Sequence, residues 1–530
     1  MKRPHVRRRS PRLPFIVLLG AGIGAAVWQA GIDEDRGTAL ANAVDATPPP
    51  GSVEGPPAVA TDDALASTWY CAAGTGDDGG MADHSVAVLN PGDRSLDVTI
   101  TVYGGALRSS SPTTAETSEA PPPTAPVPAA RTIRLTARDR VELRLGAVVS
   151  APLVAALVES KGGAVAVEHR VTGPHGVDVG PCASASAPIW HLAAGATTRD
   201  AREVVVLFNP FPTDAIVDIG LATEAGSREP VRYQGFPVAA GTVVGVDIGE
   251  DVAREGQVSA TLRTRTGRVV AERLQEFDGS LGPEGLAVAL GVPEPSTSWA
   301  FADGAVDDGG IERIVVYNPD DERAEVEVRV LPTTDDESPA PQPFRLGIRA
   351  ATFTIVDYGT EERVAAGVGH ATVVRSTNGV PVVAERSMTD EAPPDDEDDD
   401  DGEGVVARDI SSGPGAAVAA TRWAFPSAAH GQDEELGFVV FNPDPDRSVG
   451  VTLLAVANGR ETPVEAARDA VVAPGGRSTF VDDSAGFGWI VEASAPVVVE
   501  RVLVRDGVRS ATGTGIPSAD GSVPLTRLGG

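Results

Sequence analysis

Seven histidines, two cysteines and 75 acidic residues are the groups in this chain whose types could support chemistry. Zinc hydrolysis needs two imidazoles one helical turn apart, with a carboxylate beside them. His5, His84, His169, His175, His191, His370 and His430 are scattered, and none forms an HxxxH or HExxH pair. Nucleophilic hydrolysis would show a GxSxG elbow or an SxxK pair, and the sequence has neither. Gly20, Gly22 and Gly24 lie inside an apolar stretch, so they do not form a phosphate loop. A glycosidase needs two carboxylates at fixed separation, and no spacing singles out such a pair here. The run Asp395-Asp396-Glu397-Asp398-Asp399-Asp400-Asp401 lacks the glycine and the spacing of a calcium loop. It reads as a self-repelling, solvated linker. The sequence therefore assigns no catalytic residue, no cofactor site and no metal site.

The cysteines are more specific. Cys71 follows Trp69 by two residues, and Cys182 precedes Trp190 by eight. In an exported chain an even cysteine count suggests a bridge. A Cys71–Cys182 bond would staple the two ends of one module, with two free thiols as the alternative. A zinc site is disfavoured because no CxxC occurs.

Four copies of one pattern surround these residues. Tryptophans Trp69, Trp190, Trp299 and Trp423 precede Asn90-Pro91, Asn209-Pro210, Asn318-Pro319 and Asn442-Pro443 by 21, 19, 19 and 19 residues. Each Asn-Pro ends a short apolar run, such as Val204-Val205-Val206-Leu207-Phe208. Asn suits the first position of a type I turn, and Pro presets the φ of the second. The segments that follow, such as Leu96 to Tyr103, alternate apolar and polar residues, the pattern of a strand with one wet face. Each copy closes on a strand carrying Glu168-His169-Arg170, Glu272-Arg273, Glu385-Arg386 or Glu500-Arg501. Neighbouring side chains on a strand face opposite ways, so one charge of each pair must lean inward and needs a partner. An interdomain salt bridge is the expectation. Four copies of one residue set suit a scaffold better than four active sites, with the tryptophans as core plugs. Exposed tryptophans stacking on sugar are the functional alternative.

About seven short strands per repeat, and no helical pattern, predict an all-β chain of tandem immunoglobulin-like β-sandwich modules behind one transmembrane helix. A four-bladed propeller is the rival. The boundaries read 1–12 basic tail, 13–32 transmembrane signal anchor, 33–66 Pro-rich tether, 67–183, 184–293 and 294–392 sandwiches, 393–419 acidic linker, 420–518 fourth sandwich and 519–530 tail. Ser109 to Ala130 and Pro332 to Pro343 read as loop expansions.

The amino terminus sets the compartment. Six basic residues among the first twelve precede an apolar stretch, Leu13 to Ile32, long enough to cross a bilayer. Positive charge on that side keeps the amino terminus cytoplasmic and exports the remainder. The small residues Ala39, Ala41 and Ala43 lie beyond the end of the apolar run, which favours an uncleaved anchor over a cleaved signal peptide. The formal charge is −32, so the surface repels nucleic acid at long range.

Ser67-Thr68-Trp69-Tyr70-Cys71 and the repeated hydrophobic-Asn-Pro turns resemble an actinobacterial family of exported proteins catalogued as a domain of unknown function. The resemblance implies a location in the cell envelope and transfers no functional residue. The expected role is a non-enzymatic envelope scaffold or adhesion protein, with an envelope protein or wall polymer as partner. The alternatives are a glycan-binding accessory subunit of polysaccharide assembly and, third, a cryptic wall hydrolase.

Overall fold

The computed structural model describes residues 55–530, apart from 62, 109–125, 307–309, 334–339, 392–406, 430–433, 483–485, 506–507 and 529–530. The expected basic tail, membrane span and cleavage region, most of the tether, the acidic run and residues 109–125 of the Ser/Thr/Pro stretch lie outside the described residues; Ala129 and Ala130, at the end of that stretch, begin the strand Ala129–Leu135. Among the described residues, no helix is long and apolar enough to cross a membrane. All regular structure among the described residues is β, apart from six short 3-10 turns.

The strand pattern recurs four times. In the second repeat the tryptophan strand Ile189–Leu192 pairs with Val258–Thr266, which pairs with Ala215–Thr223. The facing sheet runs Thr242–Asp247, Ala201–Asn209, Val270–Asp278, Glu284–Leu290. Both sheets contribute to one buried cluster that includes Trp190, Phe208, Ile219, Leu262 and Leu274. The other repeats have the same two layers, and the cluster centred in each also takes in residues of the adjoining repeat. In the fourth, the long strand Gly488–Arg505 serves both layers. The strand order is not the immunoglobulin one. There the first strand pairs with the second. Here, in the first three repeats, the first strand pairs with the third from last of its repeat, and the second sits in the opposite sheet.

Register repeats with the pattern. Glu168, Glu272, Glu385 and Glu500 lie opposite Ala87, Val206, Val315 and Val439, each three residues before its asparagine. The Asn90, Asn209, Asn318 and Asn442 side chains are buried and build one turn four times. Their Oδ1 atoms accept from the N–H two residues on, at 3.0–3.1 Å. Their Nδ2 atoms donate to the carbonyls of Arg94, Thr213, Glu322 and Arg447, at 2.7–2.9 Å. This closure satisfies the turn backbone away from water.

The apolar runs before these asparagines are buried along their whole length. Val204 to Phe208 are each 0% exposed, whereas Leu96–Arg108 alternates buried and partly exposed residues. A strand buried on both faces has a neighbour on each side. One neighbour is the repeat's own second sheet, and the other is the preceding repeat: Phe208 packs edge-on against Tyr103, and Tyr317 Oη lies 2.8 Å from Thr261 Oγ1.

Cys71 and Cys182 form a disulfide within the first repeat, with Cα atoms 4.7 Å apart. Three segments expected to be loose are packed. Ala407–Pro414, inside the expected 393–419 linker, is a strand paired with Val383–Glu391. Val523–Pro524, in the expected tail, pairs with Val418–Ala419, and Leu525 beyond it is buried. Val59, in the expected tether, is buried and bridges to Ser518.

Candidate functional site

The four closing dipeptides meet at the boundaries between repeats. Glu385 of the third repeat accepts from the Ala193 and Ala194 N–H groups of the second, at 3.0 and 2.7 Å. Arg273 of the second repeat donates to the same carboxylate and to Ser412 Oγ at 2.9 Å. Glu500 of the fourth accepts from Asp303 N–H of the third at 2.7 Å, and Arg386 donates to it at 3.1 Å. Glu168 of the first repeat accepts from Ser427 N–H of the fourth at 2.8 Å and from Arg501 Nη1 at 2.9 and 3.0 Å. Each glutamate thus reaches back to backbone donors three or four residues past the previous tryptophan. Each arginine reaches forward to the next glutamate. Alternation along the strand sends the two side chains in these opposite directions. The fourth repeat contacts the first in the way the second contacts the third, so the ring is closed.

The boundary between the first and second repeats differs. His169 stands where the others carry arginine. Glu272 accepts from Ala72 and Ala73 N–H at 3.0 and 2.6 Å, and His169 Nε2 lies 3.7 Å away. Hydrogen-bond bookkeeping sets the protons here. His84 Nδ1 must donate to the Val154 carbonyl at 2.9 Å, so its Nε2 accepts from His169 Nδ1 at 3.0 Å. His169 then turns a lone pair toward Glu272, which suits a protonated carboxyl. Burial lowers the His84 pKa to about 4 and holds His169 well below its ordinary range. Burial raises Glu272 to about 8. This boundary is therefore held by neutral groups, while the other three are held by ion pairs.

Inside the ring run the last strands of each repeat, Gly176–Pro181, Glu284–Leu290, Ala407–Pro414 and Val508–Thr514. They are tied to one another across repeats. Asp178 Oδ2 accepts from Val288 N–H at 2.7 Å, and Ser411 Oγ accepts from or donates to Thr512 Oγ1 at 2.8 Å. Arg501 Nη2 donates to the Val179 carbonyl at 3.3 Å. Burial raises Asp178 to about 8, so this axial carboxyl carries its proton at neutral pH.

One end of the axial strands opens into a small apolar pocket of about 90 Å3. Each repeat supplies a glycine followed closely by a proline: Gly180-Pro181, Gly291 and Pro293, Gly413-Pro414, Gly515 and Pro517. Trp299 and Trp423 contribute to its wall, and so do Pro56 and Pro57 of the segment ahead of the first repeat. A larger polar cleft of about 520 Å3 lies between the first and fourth repeats, flanked by Arg138, Arg422, Glu461 and Glu492.

All four recurring tryptophans are buried, at 1–3% exposure. Trp190, Trp299 and Trp423 donate to the carbonyls of Val269, Val382 and Val497, each three residues before the latch glutamate. They are the core plugs of their repeats and present no stacking surface for sugar. Sequence reasoning singled out the glutamates and arginines. It missed the backbone donors they use and the axial strands, although the unbroken apolar runs before each asparagine carried the signal of a second buried face.

The profile of a family of unknown function, DUF5719, matches residues 154–482, more than half of the chain. The chain belongs to that family. The DUF5719 stretch begins in the strand Leu153–Lys161 of the first repeat and ends in Arg477–Asp482 of the fourth. It contains three of the latch glutamates and leaves out Trp69, Cys71 and Glu500. No curated protein matches the chain. Among solved structures, the Anabaena sensory rhodopsin transducer is 26% identical at a TM-score of 0.15, covering 18% of this chain and 96% of its own. Thermotoga maritima 1070 is 16% identical at 0.18, covering 23% and 95%. At those scores neither informs the function.

Proposed function

We propose that the chain is a non-enzymatic cell-envelope scaffold, anchored by residues 13–32, whose four sandwich repeats form a rigid hub for an envelope partner. One observation carries this reading. The residues that recur in every repeat are consumed in building the ring: the glutamates and their Arg or His neighbours in the latches, the tryptophans in the cores, the asparagines in the turns. Recurrent polar residues that bond to one another and to backbone are spent on shape. The rim and the axial mouth are then left for binding. The buried tryptophans favour a protein partner over sugar stacking.

Co-sedimentation with purified cell walls, before and after protease stripping, tests this reading. Binding that disappears on stripping supports a protein partner. Binding that survives moves the partner to wall polymer, and turnover of the polymer would overturn the scaffold reading.

A further inference from the structure

All four repeats contribute to the axial mouth, so it exists only in the closed ring. Its wall is mostly glycine, proline, alanine and valine positions, with Asp178, Glu294, Ser412 and Thr512 among its polar groups and only the edges of the buried Trp299 and Trp423 behind it. Surfaces of this composition suit extended proline-bearing peptides, which are already stiff and lose little entropy on docking. The chain itself provides such a peptide. Pro56 and Pro57 lie against the mouth, and Pro57 also lines a smaller recess beside Trp190. The segment is tied down just beyond the prolines: Val59 N–H donates to the Pro517 carbonyl at 2.9 Å, and Ala519 N–H donates to the Val59 carbonyl at 2.8 Å. The prolines have no N–H of their own to donate. Their contribution is contact area on the pocket wall.

We propose that the axial mouth is a receptor for an extended proline-bearing segment of an envelope protein, and that Pro56–Pro57 is the resident competitor. The inference rests on the reading of the ring as a protein-binding hub and names what the hub recognises. A tethered competitor acts at an effective concentration of about millimolar. A partner segment must outbid it, which confines binding to partners with more proline contacts than this dipeptide makes. Val59 holds the strap in register while the two prolines leave.

The test uses the full chain and a labelled peptide of its own residues 47–59, Thr-Pro-Pro-Pro-Gly-Ser-Val-Glu-Gly-Pro-Pro-Ala-Val, read by fluorescence anisotropy. Pro56→Gly with Pro57→Gly removes the two proline rings from the wall of the mouth, leaving their contact surface free (the emptied variant), and is expected to tighten peptide binding at least tenfold over the unaltered chain. Gly413→Phe then blocks the mouth. A Cβ at Gly413 meets no heavy atom within 4 Å, so the new side chain leaves the backbone into free space on the wall of the mouth. It is expected to return binding to background in the emptied variant. Binding indifferent to Gly413→Phe, or no gain on removing the prolines, overturns the proposal. A dimer of the emptied variant that the peptide dissolves assigns the site to a second copy of this chain and overturns the partner assignment. Wall co-sedimentation of the same variants separates the two readings: if it is unchanged while peptide binding fails, only the axial assignment falls.

Discussion

Replacing Glu168 with alanine opens the ring where its two ends meet. Glu168 is fully buried, and Arg501 is 2% exposed. Both carboxylate oxygens take hydrogen bonds from Arg501 Nη1, and one also takes Ser427 N–H. After the change, Arg501 keeps a 3.3 Å contact with the Val179 carbonyl and has lost its counter-ion. An uncompensated buried charge costs about 3–5 kcal/mol. The orphaned Ser427 N–H adds about 1–3 kcal/mol. These terms share atoms and do not simply add, so a loss of about 4 kcal/mol is expected, a large part of a typical stability of about 5–15 kcal/mol. Urea denaturation of residues 55–530, followed by tryptophan fluorescence, reads it. The control is Glu168→Leu with Arg501→Met, which removes both charges together. Such a pair of replacements is often neutral, within about 1 kcal/mol. A single alanine variant that loses less than about 1 kcal/mol would refute the reasoning, and so would a double variant as damaged as the single one.

The neutral boundary should respond differently. Glu272→Gln keeps an acceptor for Ala72 and Ala73 N–H and leaves no cation unpaired, so it should cost about 1 kcal/mol, against at least about 3 for Glu385→Ala beside Arg273; the same urea titrations check this. Stability should fall between pH 6.5 and 8.5. Burial raises Asp178, Glu203 and Glu272 to about 8, so the fold holds protons that the unfolded chain releases above about pH 4–4.5, and their stabilisation is lost as pH rises through 8. His84, lowered to about 4, acts in the opposite sense, but only below its unfolded value of about 6.5. An equal or higher urea midpoint at pH 8.5 would contradict these protonation states. Removing the disulfide with Cys71→Ala and Cys182→Ala frees a loop of sequence separation 111 and should cost up to about 5 kcal/mol on the chain-entropy account; a thermal midpoint unchanged in the double variant would argue against it. Asn318→Ala orphans the Asp320 N–H and two carbonyls of a buried turn and should cost about 1–3 kcal/mol, read by the same denaturation.

The repeat and the strand were legible in the residues because both are local. Asn-Pro after an apolar run fixes a turn, and alternation from Leu96 to Tyr103 fixes a face. The need of Glu385 and Arg386 for partners was legible too, since neither charge can sit unpaired in a sheet interior. Which partners they find was not. Glu168 meets Arg501 across 333 residues, and no local pattern encodes that distance. The immunoglobulin expectation failed on strand order for the same reason. Several orders present the same alternation, and the pairing of Ile189–Leu192 with Val258–Thr266 is a long-range choice. The 393–419 stretch was read as a linker because its acidic half dominates its composition. Its second half, Ala407–Pro414, supplies an axial strand whose small polar residues Ser411 and Ser412 fit a crowded centre. Ala407–Pro414 and Val508–Thr514 carry Gly, Ser and Thr where a core would carry Val and Leu, a pattern that resembles a loop in sequence, whereas Glu284–Leu290 keeps Leu286 and Val288.

Small-angle scattering from residues 55–530 tests the closed ring most directly. A compact unit of this length has a radius of gyration of about 23 Å, whereas four separate sandwiches in line, each about 34 Å across, give about 40 Å. The account predicts a value near 23–26 Å that grows when Glu168 is replaced by alanine. A value near 40 Å in the unaltered chain would mean that the repeats stand apart and the latches do not form.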